Sequence, residues 1–583
     1  MVNGFINGIS VCVPEGTTVL EAAKTVGVRI PTLCYLKDIN EIGACRVCVV
    51  EIKGAEKLFA ACDTVFAEGM EVFTHTPKAI AARRENVAMI LSEHKTACTT
   101  CVRGGNCTLQ SLANELNITS VGLPVTPAEK DWDDGLPLIR DASKCVRCMR
   151  CVSVCEKVQG LGVWEVTGTG ARTAIGVRGG KSLSDINCAL CGQCVTHCPT
   201  GALTARDDTA KLLGRLSPLS DPDVVTVVQI APAVRAAFGE DLGLSPELAT
   251  EKRLAAALRR IGFDYVFDTN FSADLTIMEE GSELLERLAD REKYAWPMFT
   301  SCCPGWVRFL KSEYPDMAAN LSTAKSPQQM FGAVTKTYFA GKLGKDPAKI
   351  FSVSVMPCLA KKNERALPGM GRDGYSDVDE VLTTRELARL IKAFGIDVAS
   401  LPEEEFDSPL GSGSGAAVIF GSTGGVTEAA LRTCYAIVNG KNPDPDAFRA
   451  VRAKANERLE AEVELAGTKI RAAVVSGLAA TGKLIEDVRA GRAEYDFVEV
   501  MACPGGCAGG GGQPIREGEE PAADRAKVLY RYDGANAVRF SHENPDVQAL
   551  YAEYFGKPLS EKAHHLLHSD HTADWKMPGI MKK

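Results

Sequence analysis

Cys145-Val-Arg-Cys148-Met-Arg-Cys151-Val-Ser-Val-Cys155 and Cys188-Ala-Leu-Cys191-Gly-Gln-Cys194-Val-Thr-His-Cys198-Pro199 write one pattern twice, Cys-x2-Cys-x2-Cys-x3-Cys. This spacing suits a pair of [4Fe-4S] clusters, with the fourth cysteine of each run serving the cluster of the other. One cluster is therefore expected on Cys145, Cys148, Cys151 and Cys198, and the second on Cys188, Cys191, Cys194 and Cys155. The doublet is also an internal repeat. The chain holds 22 cysteines in 583 residues, most of them two or three positions apart. Neighbours that close suit metals better than disulfides.

Towards the N-terminus, Cys34, Cys45, Cys48 and Cys62 are spaced Cys-x10-Cys-x2-Cys-x13-Cys. They sit in a small α+β unit of short β-type runs (4–13, 47–52, 70–73) and one helical stretch (18–26). Four thiolates there predict a [2Fe-2S] cluster. A structural zinc site is the competing reading, and the long first loop without a second Cys-x2-Cys knuckle argues against it. Cys12 lies outside the set and is expected to be a buried strand residue. A helical pattern over 77–91 ends in His94-x3-Cys98-x2-Cys101-x5-Cys107. Neutral imidazole can replace thiolate on iron, so His94, Cys98, Cys101 and Cys107 are expected to hold a third [4Fe-4S] cluster. So many clusters in one chain predict an electron wire.

The length predicts roughly four folding units. Hydrophobic residues at 45% and charged residues at 24% are ordinary globular composition. A net charge of −8 offers no broad basic surface for nucleic acid. No apolar run reaches membrane-spanning length, and Met-Val-Asn-Gly-Phe-Ile at the start is no export signal. A soluble, unexported, cytoplasmic chain is expected.

A cysteine-free stretch from Pro199 to Ser301 separates these clusters from a second style of sequence and is expected to contain a domain boundary. Apolar runs over 224–230, 350–355 and 497–501 alternate with helical patterns such as 251–261, which predicts an α/β architecture with partly parallel sheets. Three cysteine-bearing segments lie at or near the ends of such runs: Thr300-Ser-Cys302-Cys303-Pro-Gly-Trp306, Met356-Pro-Cys358-Leu-Ala-Lys361-Lys-Asn-Glu364, and Met501-Ala-Cys503-Pro-Gly-Gly-Cys507-Ala-Gly-Gly-Gly-Gly-Gln-Pro514. Strand ends are where open α/β sheets place ligands. Cys434 has no such setting and reads as a packed small hydrophobe.

Together the three segments resemble the motifs of the [FeFe]-hydrogenases, and the N-terminal cluster units match that family's longer members. The resemblance implies a multidomain α+β and α/β chain. Its parts are a β-grasp-like, plant-ferredoxin-like [2Fe-2S] domain over 1–78, a histidine-ligated [4Fe-4S] domain over 79–125, a bacterial two-cluster ferredoxin domain over 138–209, an H-cluster catalytic domain over 222–520 and a C-terminal wrapping segment over 521–583. It implies reversible oxidation of hydrogen at an H-cluster, a [4Fe-4S] cubane joined through a cysteine sulfur to a two-iron unit with CO, cyanide and a bridging dithiolate. Cys303, Cys358, Cys503 and Cys507 match the cubane ligands, Cys507 being the shared one. Cys302 matches the thiol that passes protons to the bridge, a task open to a thiol whose environment adjusts its pKa. Lys361 matches the residue that binds a cyanide, with Glu364 as its partner. Met356 and Met501 match residues flanking the two-iron unit, although packing accounts for them equally well.

Within Met278-Glu-Glu-Gly-Ser-Glu-Leu-Leu-Glu-Arg287, the family's proton relay from Cys302 matches Glu280, Ser322, Glu283 and Arg287. Glu280 and Glu283 share a helical face; without the resemblance they read as a solvated acidic helix. Ala231, Pro232, Ser326 and Gln328 match other pocket positions. Implied partners are ferredoxin or flavin-containing NAD(P)-linked subunits, and the maturation enzymes that install the two-iron unit. The glycine-rich stretches 411–415 and 421–425 lack a nucleotide-binding pattern and read as turns. His564, His565, His568 and His571 read as a solvated helix end.

Overall fold

The structure is a computed structural model that describes residues 1–573 except 129–130, 218–219 and 466. Residues 574–583 of the expected C-terminal segment lie outside the described residues.

In the first unit, the run over 4–13 is split. Asn7 and Gly8 adopt φ of 51° and 80°, the left-handed pair that a two-residue hairpin requires. Strands Val2–Ile6 and Ile9–Val13 pair antiparallel across that turn. With Met70–Phe73, Val49–Ile52 and Phe59–Ala60 they form a five-stranded sheet. Helix Val19–Thr25 starts where the Thr18 hydroxyl accepts from the Glu21 amide. Alternation on the second strand turns Val11 and Val13 inward and leaves Cys12 exposed, contrary to the expected burial of that cysteine.

Helices Pro77–Ser92 and Thr108–Glu115 carry the second unit. Val87, Leu91, Leu109 and Leu112 pack with Leu33 and Val47 of the first unit. In the third unit the repeat is visible in the backbone. Arg147 and Leu190 both have φ of 54°, and Met149 and Gly192 have 62° and 74°. These left-handed residues repeat at the same positions of each run, so the backbone of both runs turns in the same way.

The second half holds two four-stranded sheets. Tyr265–Asp268, Val225–Ile230, Ile350–Met356 and Glu380–Thr383 are all parallel. Met298–Phe299, Phe497–Met501 and Thr468–Ser476 are parallel, and Arg458–Leu465 closes that sheet antiparallel. Helices cover both faces of the first sheet, so its central strands are buried along nearly their whole length and mostly apolar. The mixed α+β and α/β organisation is the one the sequence predicts. The C-terminal helices Pro545–Leu550 and Glu561–Leu567 pack Val547, Leu550, Leu566 and Leu567 onto Phe271 and Phe331 of the first sheet's outer layer. Among the described residues no helix is long and apolar enough to cross a membrane.

Candidate active site and cluster-binding loops

Four strands from the two sheets end at one place. Met298–Phe299 runs into Cys302 and Cys303, Ile350–Met356 into Cys358, Phe497–Met501 into Cys503, and Val225–Ile230 into Ala231 and Pro232. Cys303 precedes helix Pro304–Glu313, whose Pro304 starts it without wasting an amide donor. The buried thiols feel one another. Burial pushes Cys358 up to about 12 with Cys303 adding to the shift, and it drives Cys503 and Cys507 upward among the same neighbours.

The Lys361 ammonium donates to the Cys302 carbonyl at 3.1 Å and to Glu364 at 3.0 and 3.2 Å. Burial opposes its charge, but Glu364 and the thiols Cys358 and Cys302 outweigh that cost and hold its pKa above the ordinary lysine value. Glu364 also accepts from Ser326 and Gln328, both at 3.0 Å, and Ser354 donates to the Gln328 oxygen at 2.8 Å. Cys302, Lys361, Glu364, Ser326 and Gln328 thus form one buried network. Met356 and Met501 are buried in the hydrophobic cores flanking it.

Behind Cys302, helix Asn270–Ala289 presents Glu280 and Glu283, both buried. Burial, and then the Glu283 carboxylate, push Glu280 up to about 8. Among the described residues no donor reaches either Glu280 oxygen in full hydrogen-bond geometry, although Ser322 and the Ser301 backbone lie near enough to offset part of that rise. Glu283 has several: Ser322 Oγ donates at 2.8 Å, the Thr323 amide at 3.0 and 3.1 Å, and Arg287 at 2.6 Å. Burial, then the nearby Glu280, hold the Cys302 thiol well above its ordinary pKa, so it is protonated at neutral pH.

The accessory loops lie against one another in series. Cys145, Cys148, Cys151 and Cys198 line a single cavity with Trp164 and Thr200. Burial raises Cys155 to about 12, and the thiol it feels next is Cys188 of the other run. Cys48 and Cys62 are 3.4 Å apart, and hydrogen bonding to Cys34 holds Cys45 down to about 6; two thiol pairs match two irons. Burial keeps His94 below the ordinary imidazole pKa, in the neutral form that binds metal. Its loop touches the second run: Arg103 donates to the Cys198 carbonyl at 3.1 Å and the Thr108 amide to Pro199 at 3.2 Å.

All 22 cysteines are free thiols. Among the described residues no group of three or more His, Cys, Asp or Glu side chains is arranged to hold a single metal ion. Cys303, Cys358 and Cys507 keep accessible surface although burial dominates the shifts of Cys358 and Cys507. Thiols that protein atoms surround yet that keep some surface are what the wall of a polynuclear site requires. The donor set fits iron–sulfur clusters.

A family model described as the iron only hydrogenase large subunit, C-terminal domain, matches residues 224–511, and the iron hydrogenase small subunit matches 519–574. The chain is 46% identical to the NADP-reducing hydrogenase subunit HndD of Solidesulfovibrio fructosivorans over 97% of each. The chain belongs to the [FeFe]-hydrogenases. This hydrogenase is also 38% identical to iron hydrogenase 1 of Clostridium pasteurianum, covering 97% of this chain and 98% of that one. Its structure resembles a variant of apo [FeFe]-hydrogenase HydA1 from Chlamydomonas reinhardtii, with a TM-score of 0.56 and 42% identity over 64% of this chain and 99% of that one. Upstream, a 2Fe-2S iron-sulfur cluster binding domain matches 1–77, the NADH-ubiquinone oxidoreductase-G iron-sulfur binding region 83–121, and a 4Fe-4S dicluster domain 144–202. The protein is an oxidoreductase, a hydrogenase with N-terminal iron–sulfur domains.

Some features of this hydrogenase escape a reading of the sequence. His564 and His565 are exposed, but His568 and His571 are buried, which corrects the expected solvated helix end. His568 bonds Glu279 and Thr323, and burial holds His571 down to about 3. The glycines at 421–425 form a turn whose amides bind a protein carboxylate. Glu499 accepts from Gly424 and Thr427 at 2.7 and 2.8 Å, capping helix Gly425–Asn439. The glycine run after Cys507 is a weld. A Cβ on Gly511 would lie 2.3 Å from the Cys191 carbonyl oxygen, and one on Gly512 would lie 2.7 Å from the Cys358 amide.

Proposed function

We propose that this hydrogenase oxidises hydrogen reversibly to protons and electrons at an H-cluster, and exchanges the electrons with an NAD(P)-linked flavoprotein partner or ferredoxin. The convergence of Cys303, Cys358, Cys503 and Cys507 on the Lys361–Glu364 network carries the reading. When bound, the H-cluster would supply an open iron position and a bridging base, and the accessory clusters would carry the electrons away. Cys303, Cys358, Cys503 and Cys507 would hold the cubane, Cys507 sharing its sulfur with the two-iron unit.

Lys361 would donate to a cyanide ligand of the bound group, its charge sustained by Glu364. Ala231, Pro232, Met356 and Met501 exclude water, while Ser326 and Gln328 orient Glu364. Cys302 holds a proton at Sγ, and Glu280, Ser322, Glu283 and Arg287 pass it to and from the surface. One [2Fe-2S] cluster on Cys34, Cys45, Cys48 and Cys62, and three [4Fe-4S] clusters on the His94 set and the two crossed cysteine runs, complete the cofactor set. The name of the Solidesulfovibrio relative, an NADP-reducing hydrogenase subunit, favours a pyridine-nucleotide-linked partner.

The test is hydrogen evolution from reduced dye after maturation, with infrared bands of iron-bound CO and cyanide as the cofactor readout. A matured, cluster-loaded chain with those bands absent and no hydrogen evolved overturns the proposal.

A further inference from the structure

Glu279 is fully buried on the helix that carries the relay, but its side chain is bound by the C-terminal segment. Tyr551 Oη donates to Glu279 Oε1 at 2.5 Å, and the Leu559 amide to Oε2 at 2.9 Å. His568 Nε2 stands 3.0 Å from Oε2. A carboxylate only accepts, so Nε2 carries a proton, and Nδ1 pairs with the Thr323 hydroxyl, 2.8 Å away. The Thr323 amide then donates to both oxygens of Glu283, at 3.1 and 3.0 Å.

The backbone is tied at the same place. The Ser569 amide donates to Thr323 O at 2.7 Å and the Lys325 amide to Leu567 O at 2.8 Å, either side of an antiparallel bridge between Ala324 and His568. The segment that supplies Ser322 and Thr323 to Glu283 therefore rests on the C-terminal strap. Clamping alone would not need this arrangement. Leu550, Phe555, Leu566 and Leu567 already bury an apolar face against the catalytic domain, whereas a buried carboxylate carries a desolvation cost. The polar chain ends on the one relay carboxylate whose orientation matters most for handing protons outward.

We propose that Glu279 and His568 are positioning residues for proton transfer, and that through Thr323 the C-terminal strap sets the orientation of Glu283. The inference rests on the relay proposed above. The titratable groups facing His568 are Glu279, Tyr551 and His564, whose ring centroid is 4.4 Å away, with Glu283 and Arg287 beyond Thr323.

The test uses full-length Thr323→Val, Thr323→Ser, His568→Ala and Glu283→Gln. Thr323→Val keeps the amide donor and the side-chain shape but cuts the link to His568; Thr323→Ser keeps the link. After maturation, Thr323→Val and His568→Ala should lower hydrogen evolution about fivefold, the scale of one lost hydrogen bond. They should also raise the solvent isotope effect and shift the pH profile, with Thr323→Ser close to the parent. In unmatured chains, the amides of residues 322–325 should exchange hydrogen faster in His568→Ala than in the parent. If His568→Ala does not fold, Thr323→Val against Thr323→Ser decides alone. A parent-like pH profile and isotope effect in Thr323→Val, with Glu283→Gln inactive, overturns this inference and leaves the relay standing. Full turnover in Glu283→Gln overturns the relay reading itself.

Discussion

The Cys503 sulfur lies 3.7 Å from the backbone carbonyl oxygen of Cys191, a residue 312 positions earlier in the chain. A ligand loop of the proposed H-cluster and a ligand loop of an accessory cluster are thus in van der Waals contact. Gly511 makes the contact possible because any side chain there meets Cys191 and Gly192 backbone. Gly511→Ala should destabilise by about 1–3 kcal/mol, the usual cost of overpacking, and slow reduction of the accessory clusters under hydrogen. Thermal denaturation and stopped-flow absorbance check the two effects. Parent-like values in both would remove the weld from the account.

Cys302 is buried and protonated, and after burial Glu280 is the largest influence on it. Cys302→Ala removes the transferable proton and no proposed iron ligand. Cluster content and infrared bands should persist while turnover falls at least about a hundredfold, the lower range for loss of an acid–base group. Full activity in this variant refutes the assignment of the thiol to the relay.

Glu280 titrates near 8 because burial and Glu283 disfavour its charge. A carboxyl whose folded pKa is raised binds more protons folded than unfolded between about 4.5 and 8, so stability falls as pH rises through that window. Proton delivery should fall as well once pH passes about 8, where Glu280 stays ionised. Glu280→Gln should flatten the stability profile and abolish most turnover. Denaturant midpoints across the window and the pH dependence of hydrogen evolution measure the two. A stability profile with the parent's slope in Glu280→Gln would assign the ionisation to another group.

Lys361 and Glu364 pair inside the protein with little water around them. Glu364→Ala leaves a buried ammonium with the Cys302 carbonyl as its main acceptor, which should cost about 3–5 kcal/mol. Glu364→Gln keeps an acceptor for Ser326 and Gln328 and should cost less. Thermal denaturation of the unmatured chain ranks the two variants without involving turnover; equal midpoints would mean that Glu364 supplies charge pairing and that its acceptor for Ser326 and Gln328 adds nothing.

The cysteine spacings were legible because ligation fixes residue types at short separations, and the two central parallel strands because most of their residues are apolar. The pairing of Asn7 with Gly8 also carries a hairpin signal in the sequence, and reading 4–13 as a single run passes over it. His568 is different in kind. Nothing in the local sequence marks it as buried, because its partners Glu279 and Thr323 lie 289 and 245 residues away. Glu279 and Glu280 are adjacent in sequence, yet one is bound by the strap and the other lies beside Cys302. That division depends on what packs against each side of one helix.

Asn40 joins two cluster loops through one amide group. Its Nδ2 donates to the Cys34 carbonyl at 2.7 Å and to the Cys148 carbonyl at 3.0 Å, while Ser153 Oγ donates to its Oδ1 at 2.7 Å. The side chain is fully buried, so removing it strands two buried carbonyls at about 1–3 kcal/mol for each unsatisfied group. Asn40→Ala should therefore loosen the first unit from the third with every proposed ligand intact. Paramagnetic resonance of the reduced chain should show weaker magnetic interaction between the [2Fe-2S] cluster and the cluster proposed on Cys145, Cys148, Cys151 and Cys198. Asn40→Asp, which loses the donor but keeps the acceptor for Ser153, should behave like Asn40→Ala. If Asn40→Asp instead matches the parent, the bond to Ser153 holds the loops together and the shared donor does not.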